Sequence, residues 1–493
     1  MKIAIAGASG FVGQLLIETL RNEFDLIALG RSSQATSVVN SRESTSSGLD
    51  EGRDARIGKT RELVWRKCDL FSLIQIENGL QGADVGIYLV HSMLPSAALT
   101  QSNFEDSDLL LADNFARAAQ KAGLKRIIYL GGLVPAGAEL SQHLRSRQEV
   151  ERALGSYGAP VTSLRAGLIL GSQGSSFQML YLLVKRLPVM ICPKWTRTLT
   201  QCVSSLDVVN LIRFCLKDDR TAGNTYDLGS PEILSYQQLM AALAEEMGLR
   251  RRMFSVRFFS PGLSRLWVQL ITGASRNLVA PLVESLRHEM VVRNPALLQL
   301  YGRPLMGIRE ALSRCLVHIQ PNLRSSTRER QRKLRGQEEV RSIQRLPKPP
   351  GRSAEWLAVE YFRWLPEFLK PFVVVEPGDE LGKWIFRFAW MRYPLLIIKY
   401  SSERSTADRQ VFYVKGGLLA SSEQSPNSRL EFREVLDHQI YLAAIHEFRP
   451  ALPWIVYQYT QALVHLWVMT SFRRHLSQLK WNLKGSEVFP NCQ

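Results

Sequence analysis

"MKIAIAGASGFVGQLLIETL", residues 1–20, joins an apolar run to a glycine turn and then to a helical pattern. Lys2–Gly7 has the apolar content of a short buried strand, and Val12, Leu15, Leu16 and Leu20 fall on one helix face. The three glycines between and beyond them have distinct uses. Gly7 permits a tight turn, Gly10 lets a pyrophosphate approach the backbone, and Gly13 allows helix and strand to pack closely. The free N–H groups of the helix start then meet anionic phosphates, with Phe11 and Val12 on the same surface. Strand, turn and helix together predict a dinucleotide site.

The second strand, "DLIALG", ends in Gly30-Arg31-Ser32. An acidic residue there would bind ribose hydroxyls and repel a 2′-phosphate. Arg31 instead pairs with such a phosphate, helped by the hydroxyls of Ser9 and Ser32, which points to NADP with NAD as the alternative. The plainer reading of Arg31 is a solvent-facing start to a basic loop. Asp69, in "KCDL", falls at the end of the third strand, within reach of an adenine amino group. Leu89, Val90 and His91, after the fourth strand "ADVGIYLVHS", face the nicotinamide end of the cleft, with Ser92 and Met93 beside them.

Working outward, "ELVWRKCDL", "RIIYLGGL", "PVTSLRAGLIL" and "TYDLGS" continue the strand series, and "SDLLLADNFARAAQKAG" and "SLDVVNLIRFCLK" are amphipathic helices. Alternation of this kind predicts βαβ units and a doubly wound parallel sheet, an α/β Rossmann-type fold. Ser32–Arg61 lacks a pattern and reads as a surface insertion. From about residue 235 to 316 the texture turns helical, a substrate lobe. Residues 317–353 read as a basic linker, since Pro321–Arg352 carries ten Lys or Arg against three Asp or Glu. Residues 354–493 read as a separate α+β domain with antiparallel strands and a helical end. The expected division is therefore a domain over 1–316, a linker, and a second domain.

Composition narrows the partners. The 493-residue chain is 45% apolar and carries a net charge of +17, concentrated in part in the linker. No recognition helix or zinc-finger spacing accompanies that charge, so no specific nucleic-acid partner is expected. The six scattered cysteines form no C-x-x-C pair, which speaks against a disulfide framework and a zinc site. The N-terminus lacks a secretory pattern, which suggests the cytoplasm. Ala451–Phe472, flanked by Arg449, Arg473 and Arg474, reads first as a buried helix, second as an interfacial segment and last as a transmembrane span, against which Gln458, Gln461 and His465 argue. Peripheral contact with lipid or the inner membrane face is accordingly an open expectation. "GSQGSSF" (Gly171–Phe177) lacks the Lys of a phosphate loop and reads as a wall of the substrate cleft.

"IAIAGASGFVGQLLIETL", "DLIALGR", "KCDL", "YLVHSM", "KRIIYLGGL", "HLRSRQEVERAL" and "SLRAGLILG" together resemble the extended or atypical short-chain dehydrogenase/reductases, in particular the NAD(P)H-binding, nucleoside-diphosphate-sugar epimerase-like group. The resemblance covers about residues 1–315. The C-terminal part resembles a domain fused to some such proteins, with a helix-grip fold implied. Active family members use a Tyr and a Lys four residues on, helped by a Ser near the end of the fifth long strand. This chain has Gly131 and Gly132 where the Ser is expected, and His143 and Arg147 at the Tyr/Lys spacing. His143 then reads either as the proton donor, with Arg147 on the ribose or phosphate, or as a structural start to a helix. Arg165 in "SLRAGLILG" is placed to steady cofactor or substrate. The resemblance implies an NADP-dependent oxidoreductase acting on an unidentified carbonyl or quinone-like small molecule. A non-catalytic NADPH sensor or scaffold, and a lipid-handling role for the C-terminal domain, stay open.

Overall fold

The computed structural model describes residues 1–31, 61–91, 99–135, 137, 140–256, 261–319, 339–380, 382–423 and 425–486. Ser32, Ser92, Met93, Cys492 and most of the surface insertion lie outside the described residues. The chain forms two compact units, Met1–Met93 with Leu111–Arg328, and Leu94–Leu110 with Glu329–Gln493.

In the first unit, strands β1 (Lys2–Ala6), β2 (Asp25–Gly30), β3 (Leu63–Lys67) and β4 (Val85–Tyr88) form half of a seven-stranded sheet. The next strand in the chain, β5 (Leu99–Gln101), belongs to the second unit. β6 (Arg126–Gly132), β7 (Val161–Ala166) and β8 (Thr225–Leu228) complete the sheet in the order β8-β7-β6-β4-β1-β2-β3, all parallel. Ile3, Ile5, Leu26, Ile87, Ile128 and Leu164 are buried because helices cover the sheet's faces. The strand order reverses between β1 and β4, so the carboxyl ends of these strands open into a crevice suited to a ligand.

Helices α1 (Phe11–Leu20), α2 (Leu73–Leu80), α3 (Phe104–Ala122), α4 (Gln142–Gly155), α5 (Ser175–Arg186) and α6 (Ser205–Lys217) make the crossovers and flanks. Leu16, Leu20, Val208 and Ile212 from α1 and α6 share one core with the strands. The following lobe contains α7 (Tyr236–Glu246), α8 (Pro261–Thr272), α9 (Arg276–Ser285), α10 (Ala296–Tyr301) and α11 (Ile308–Val317). Its own core joins Phe177, Leu183, Leu239, Leu243, Val279 and Leu312. The lobe is not wholly helical: Arg252–Ser255 is a strand paired in parallel with Val189–Cys192.

The second unit is built on β9 (Val340–Pro347), β10 (Val373–Pro377), β11 (Lys383–Phe388), β12 (Pro394–Tyr400), β13 (Arg409–Gly416), β14 (Arg429–Val435) and β15 (Ile440–Phe448). Its order is β10-β11-β12-β13-β14-β15-β9-β5, antiparallel throughout except for β5 against β9. α12 (Ala354–Leu369) precedes the meander, and α13 (Trp454–Tyr459) and α14 (Gln461–Ser486) follow it. Val468, Met469, Phe472 and Leu476 of α14 pack onto Phe412, Phe432 and Tyr441 of the sheet, with Tyr361 and Phe362 of α12 between them. The second unit is thus a separate antiparallel-sheet domain with helices packed on it.

The stretch 317–353 holds more structure than its charge suggests. Val340–Pro347, read from sequence as part of the basic linker, is the strand β9, between β15 and β5. Its basic content misled the sequence reading, since Arg345 is paired within the fold: its Nε donates to Asp106 Oδ1 at 2.8 Å. On β14, alternation sets Arg429, Glu431 and Arg433 on one face and Leu430 and Phe432 on the other. Arg409 Nε donates to Glu431 Oε1 at 2.7 Å and Arg429 Nε to Glu431 Oε2 at 3.2 Å, and Arg433 also bonds this carboxylate. Burial opposes ionisation of Glu431, but the three guanidiniums hold its carboxyl well below the usual range.

Candidate functional site

Gly7 closes the end of β1 at φ +88°, a conformation that a residue with a Cβ rarely adopts. Its carbonyl accepts from Gly10 N–H at 2.9 Å, which folds the loop onto the start of α1. A Cβ on Gly13 would overlap that same carbonyl oxygen and the Ala8 backbone, and a Cβ on Gly10 would stand 3.1 Å from it. Only glycine therefore lets α1 sit this near to β1. Gly10 is the N-cap of α1 and makes no side-chain capping bond, and Ser9 and Gly10 are exposed. The first N–H groups of α1 face outward beside a loop with no side chain at Gly7 or Gly10. These features fit a dinucleotide pyrophosphate.

The other residues singled out from the sequence stand around this turn. A Cβ on Gly7 would come within 3.2 Å of Leu89, so the ends of β1 and β4 are adjacent. Arg31 is exposed just past β2. Asp69 follows β3; its carboxylate accepts from Phe71 N–H at 3.2 Å, while its own N–H donates to Gln75 Oε1 at 2.9 Å. Val12 packs against the sheet core, and Phe11 fills space left by Gly171, where a Cβ would overlap its ring.

At the far end of the crevice the structure brings His91, after β4, to His143, the second residue of α4, with ring centroids 5.1 Å apart. Burial pushes the His143 imidazole down to about 4. The positive end of α4, capped by Ser141 accepting from Leu144 N–H at 3.3 Å, works in the same direction. His143 is a neutral ring near pH 7. Arg147, one turn on, is buried beside Gly132, and burial lowers its guanidinium to about 10 against the opposing influence of Tyr88. Tyr129 is fully buried, and its hydroxyl donates to the Arg147 carbonyl at 3.2 Å. A Cβ on Gly131 would lie 2.7 Å from the Tyr129 ring, so the glycine that replaces the expected Ser makes room for that ring.

Arg165, which the sequence places to steady cofactor or substrate, is engaged within the protein. Its guanidinium grips Glu151 in two bonds of 3.0 and 2.8 Å, joining β7 to α4. The described cysteines are free and buried, and among the described residues no cluster suited to a metal ion occurs.

Beyond His143 lies a cavity of about 160 Å³, bounded by Gly132, Leu133, Leu144, Met179, Leu183, Met240, Val279 and Met290 among others. Its polar contributors are His143, Ser176, Trp195, Tyr236 and Ser285, and no Lys, Arg, Asp or Glu is among the described residues that bound it. Sequence reading singled out Gly132, His143 and the stretch holding Ser176 but missed the rest. Their spacing on α5, α7 and α9 is that of core-facing helix positions, and an apolar pattern does not distinguish a cavity wall from a filled core. "GSQGSSF" supplies Ser176 to this wall.

Residues 3–179 match the model of the NAD dependent epimerase/dehydratase family. The auxiliary protein GraX of Staphylococcus aureus is 28% identical over 162 residues, or 32% of this chain. The match covers 42% of GraX, so the chain spans less than half the length of this curated relative. Among solved structures, an NADPH-dependent quinone oxidoreductase from Escherichia coli in complex with NADPH is similar at 18% identity and a TM-score of 0.49, covering 64% of this chain and all of that one. A nucleoside-diphosphate-sugar epimerase from Staphylococcus aureus is similar at 17% identity and a TM-score of 0.48, with 64% of this chain and 100% of that chain covered.

Proposed function

We propose that the protein is an NADPH-dependent reductase of an uncharged, apolar, quinone-like substrate, a reading supported by the match of residues 3–179 to the NAD dependent epimerase/dehydratase family. The carrying observation is the apolar cavity with a neutral His143 in its wall. A nucleotide-sugar substrate would bring a diphosphate, which calls for Arg or Lys side chains. The cavity wall offers methionines and leucines instead.

Bound along the crevice, the nicotinamide would supply a hydride to the substrate. The chain's own residues account for the rest. Gly7, Gly10 and Gly13 bring the α1 N–H groups to the pyrophosphate, and Arg31 pairs with the 2′-phosphate. His143 offers a neutral N–H to the substrate oxygen, where negative charge develops. As a full proton donor it would first have to be protonated, which at about 4 is a rare event near pH 7. This restriction favours a quinone-like acceptor. Hydride addition there leaves a phenol-type oxyanion, and phenols titrate near 10, so a hydrogen bond suffices where an alkoxide needs a stronger acid. The buried Arg147 acts as a positioning residue beneath Gly132. The absence of a Tyr/Lys pair at positions 143 and 147 is then suited to the substrate.

Absorbance at 340 nm tests the reading. NADPH should be oxidised on adding an uncharged benzoquinone or naphthoquinone, and a UDP-sugar should not compete. Competition by the UDP-sugar would return the site to nucleotide-sugar chemistry.

A further inference from the structure

Five aromatic residues of the second unit, Phe372, Trp390, Tyr393, Tyr459 and Trp467, each leave more than half of their surface exposed. Trp467, Phe372 and Trp390 lie along a run of ring contacts and near neighbours. The Trp467 ring lies 4.6 Å from Phe368 at the end of α12, and Phe368 stacks on Trp364 at 4.4 Å. Three residues beyond α12, Phe372 faces Trp390 edge-on at 6.4 Å, and its carbonyl accepts from Ala389 N–H at 3.0 Å. Trp390 and Tyr393 form the turn between β11 and β12. The rings therefore make a strip from α14 across the end of α12 to a hairpin tip.

Acids are few around the strip, and the exposed Glu367 beside Phe368 is paired with Lys370 at 2.6 Å. From Ala451 to Ser486 there is no Asp or Glu, while Arg473 and Arg474 are exposed on α14. The tip from Ala389 to Tyr400 likewise lacks an acid and exposes Arg392. On α14, Val468, Met469, Phe472 and Leu476 face the core, while Leu463, Trp467 and Arg474 share the outer face. No helix among the described residues is long and apolar enough to cross a membrane.

We infer that this strip docks the second unit onto the surface of an anionic lipid bilayer. Trp and Tyr suit the headgroup level, where the ring is buried and its N–H or O–H stays wet. The neighbouring arginines pair with anionic headgroups, and the outer face of α14 lies in the plane of the interface. α14 and the hairpin tip, which carry arginines and no acid, favour an anionic surface over a protein partner of mixed charge.

The full chain should be sedimented with vesicles of phosphatidylcholine alone and of phosphatidylcholine mixed with phosphatidylglycerol. The expected result is binding to the mixed vesicles that weakens as salt is raised. Trp390→Ser and Trp467→Ser should each lower partition by about tenfold while circular dichroism shows the chain still folded. Arg392→Glu should lower binding to the mixed vesicles alone. Failure to sediment with either vesicle, or aromatic variants that bind like wild type, would overturn the inference. So would a dimer in analytical ultracentrifugation that these same substitutions dissociate, since the strip would then join two copies.

Discussion

The rings of His91 and His143 lie 5.1 Å apart, one following a strand of the sheet and the other beginning a helix. This contact joins the crevice proposed for the dinucleotide to the apolar cavity. It also makes His143 the group whose titration reports on the site.

Stability should depend on pH through His143. Its folded value is about 4 against an ordinary 6.5, so the unfolded chain takes up the proton first as pH falls. Stability from this group is fully present above about pH 6.5 and declines as pH drops toward 4, by at most about 3 kcal/mol. His465, also brought to about 4 by burial, adds a similar slope in the second unit. Urea unfolding of wild type and His143→Phe between pH 7 and 4.5 should show a shallower loss in the variant. Parallel curves would mean that His143 is solvated in the folded protein.

Gly13→Ala tests the close approach of α1 to β1. The added methyl would overlap the Gly7 carbonyl, so a loss of about 1–3 kcal/mol in stability and at least a tenfold loss in NADPH affinity are expected. Thermal unfolding and calorimetric titration measure both. Retention of wild-type affinity would place the cofactor elsewhere.

Arg31→Asp addresses cofactor choice. A charge-assisted bond to the 2′-phosphate predicts that NADPH binding weakens tenfold or more while NADH binding is spared. Equal effects on the two nucleotides, read by calorimetry, would remove Arg31 from that role.

In the second unit, Glu431→Gln takes one carboxylate from Arg409, Arg429 and Arg433 together. Removing the acidic member of a buried charge cluster should destabilise by about 3–5 kcal/mol. A change below about 1 kcal/mol in chemical denaturation would show that solvent enters the cluster.

The parallel sheet was legible because its evidence is local: apolar runs, a glycine turn and helical periodicity each lie within a few residues, as at Lys2–Leu20. The helical lobe was legible in outline for the same reason. β5 and β9 were not, because Leu99–Gln101 is short and Val340–Pro347 is basic. Their strand character comes from pairing across more than 200 residues and from partners such as Asp106 for Arg345. In the site, the spacing of His143 and Arg147 singled both out, yet their burial depends on tertiary packing. Arg165 looked available until Glu151, 14 residues earlier, was seen to hold it. Most of the cavity wall was hidden, since Met179, Met240 and Met290 meet only in three dimensions.

The central claim, a neutral imidazole serving hydride transfer to an apolar acceptor, is tested most directly by single-turnover oxidation of bound NADPH by an uncharged quinone. Wild type should react in the presence of the quinone at a rate that is flat from pH 6 to 8, because His143 does not titrate in that range. His143→Phe should bind NADPH normally and react at least about 100-fold more slowly, the scale on which loss of one preorganised donor is felt. Wild type that holds NADPH without oxidising it, or a His143→Phe variant that reacts within about threefold of wild type, would contradict the account.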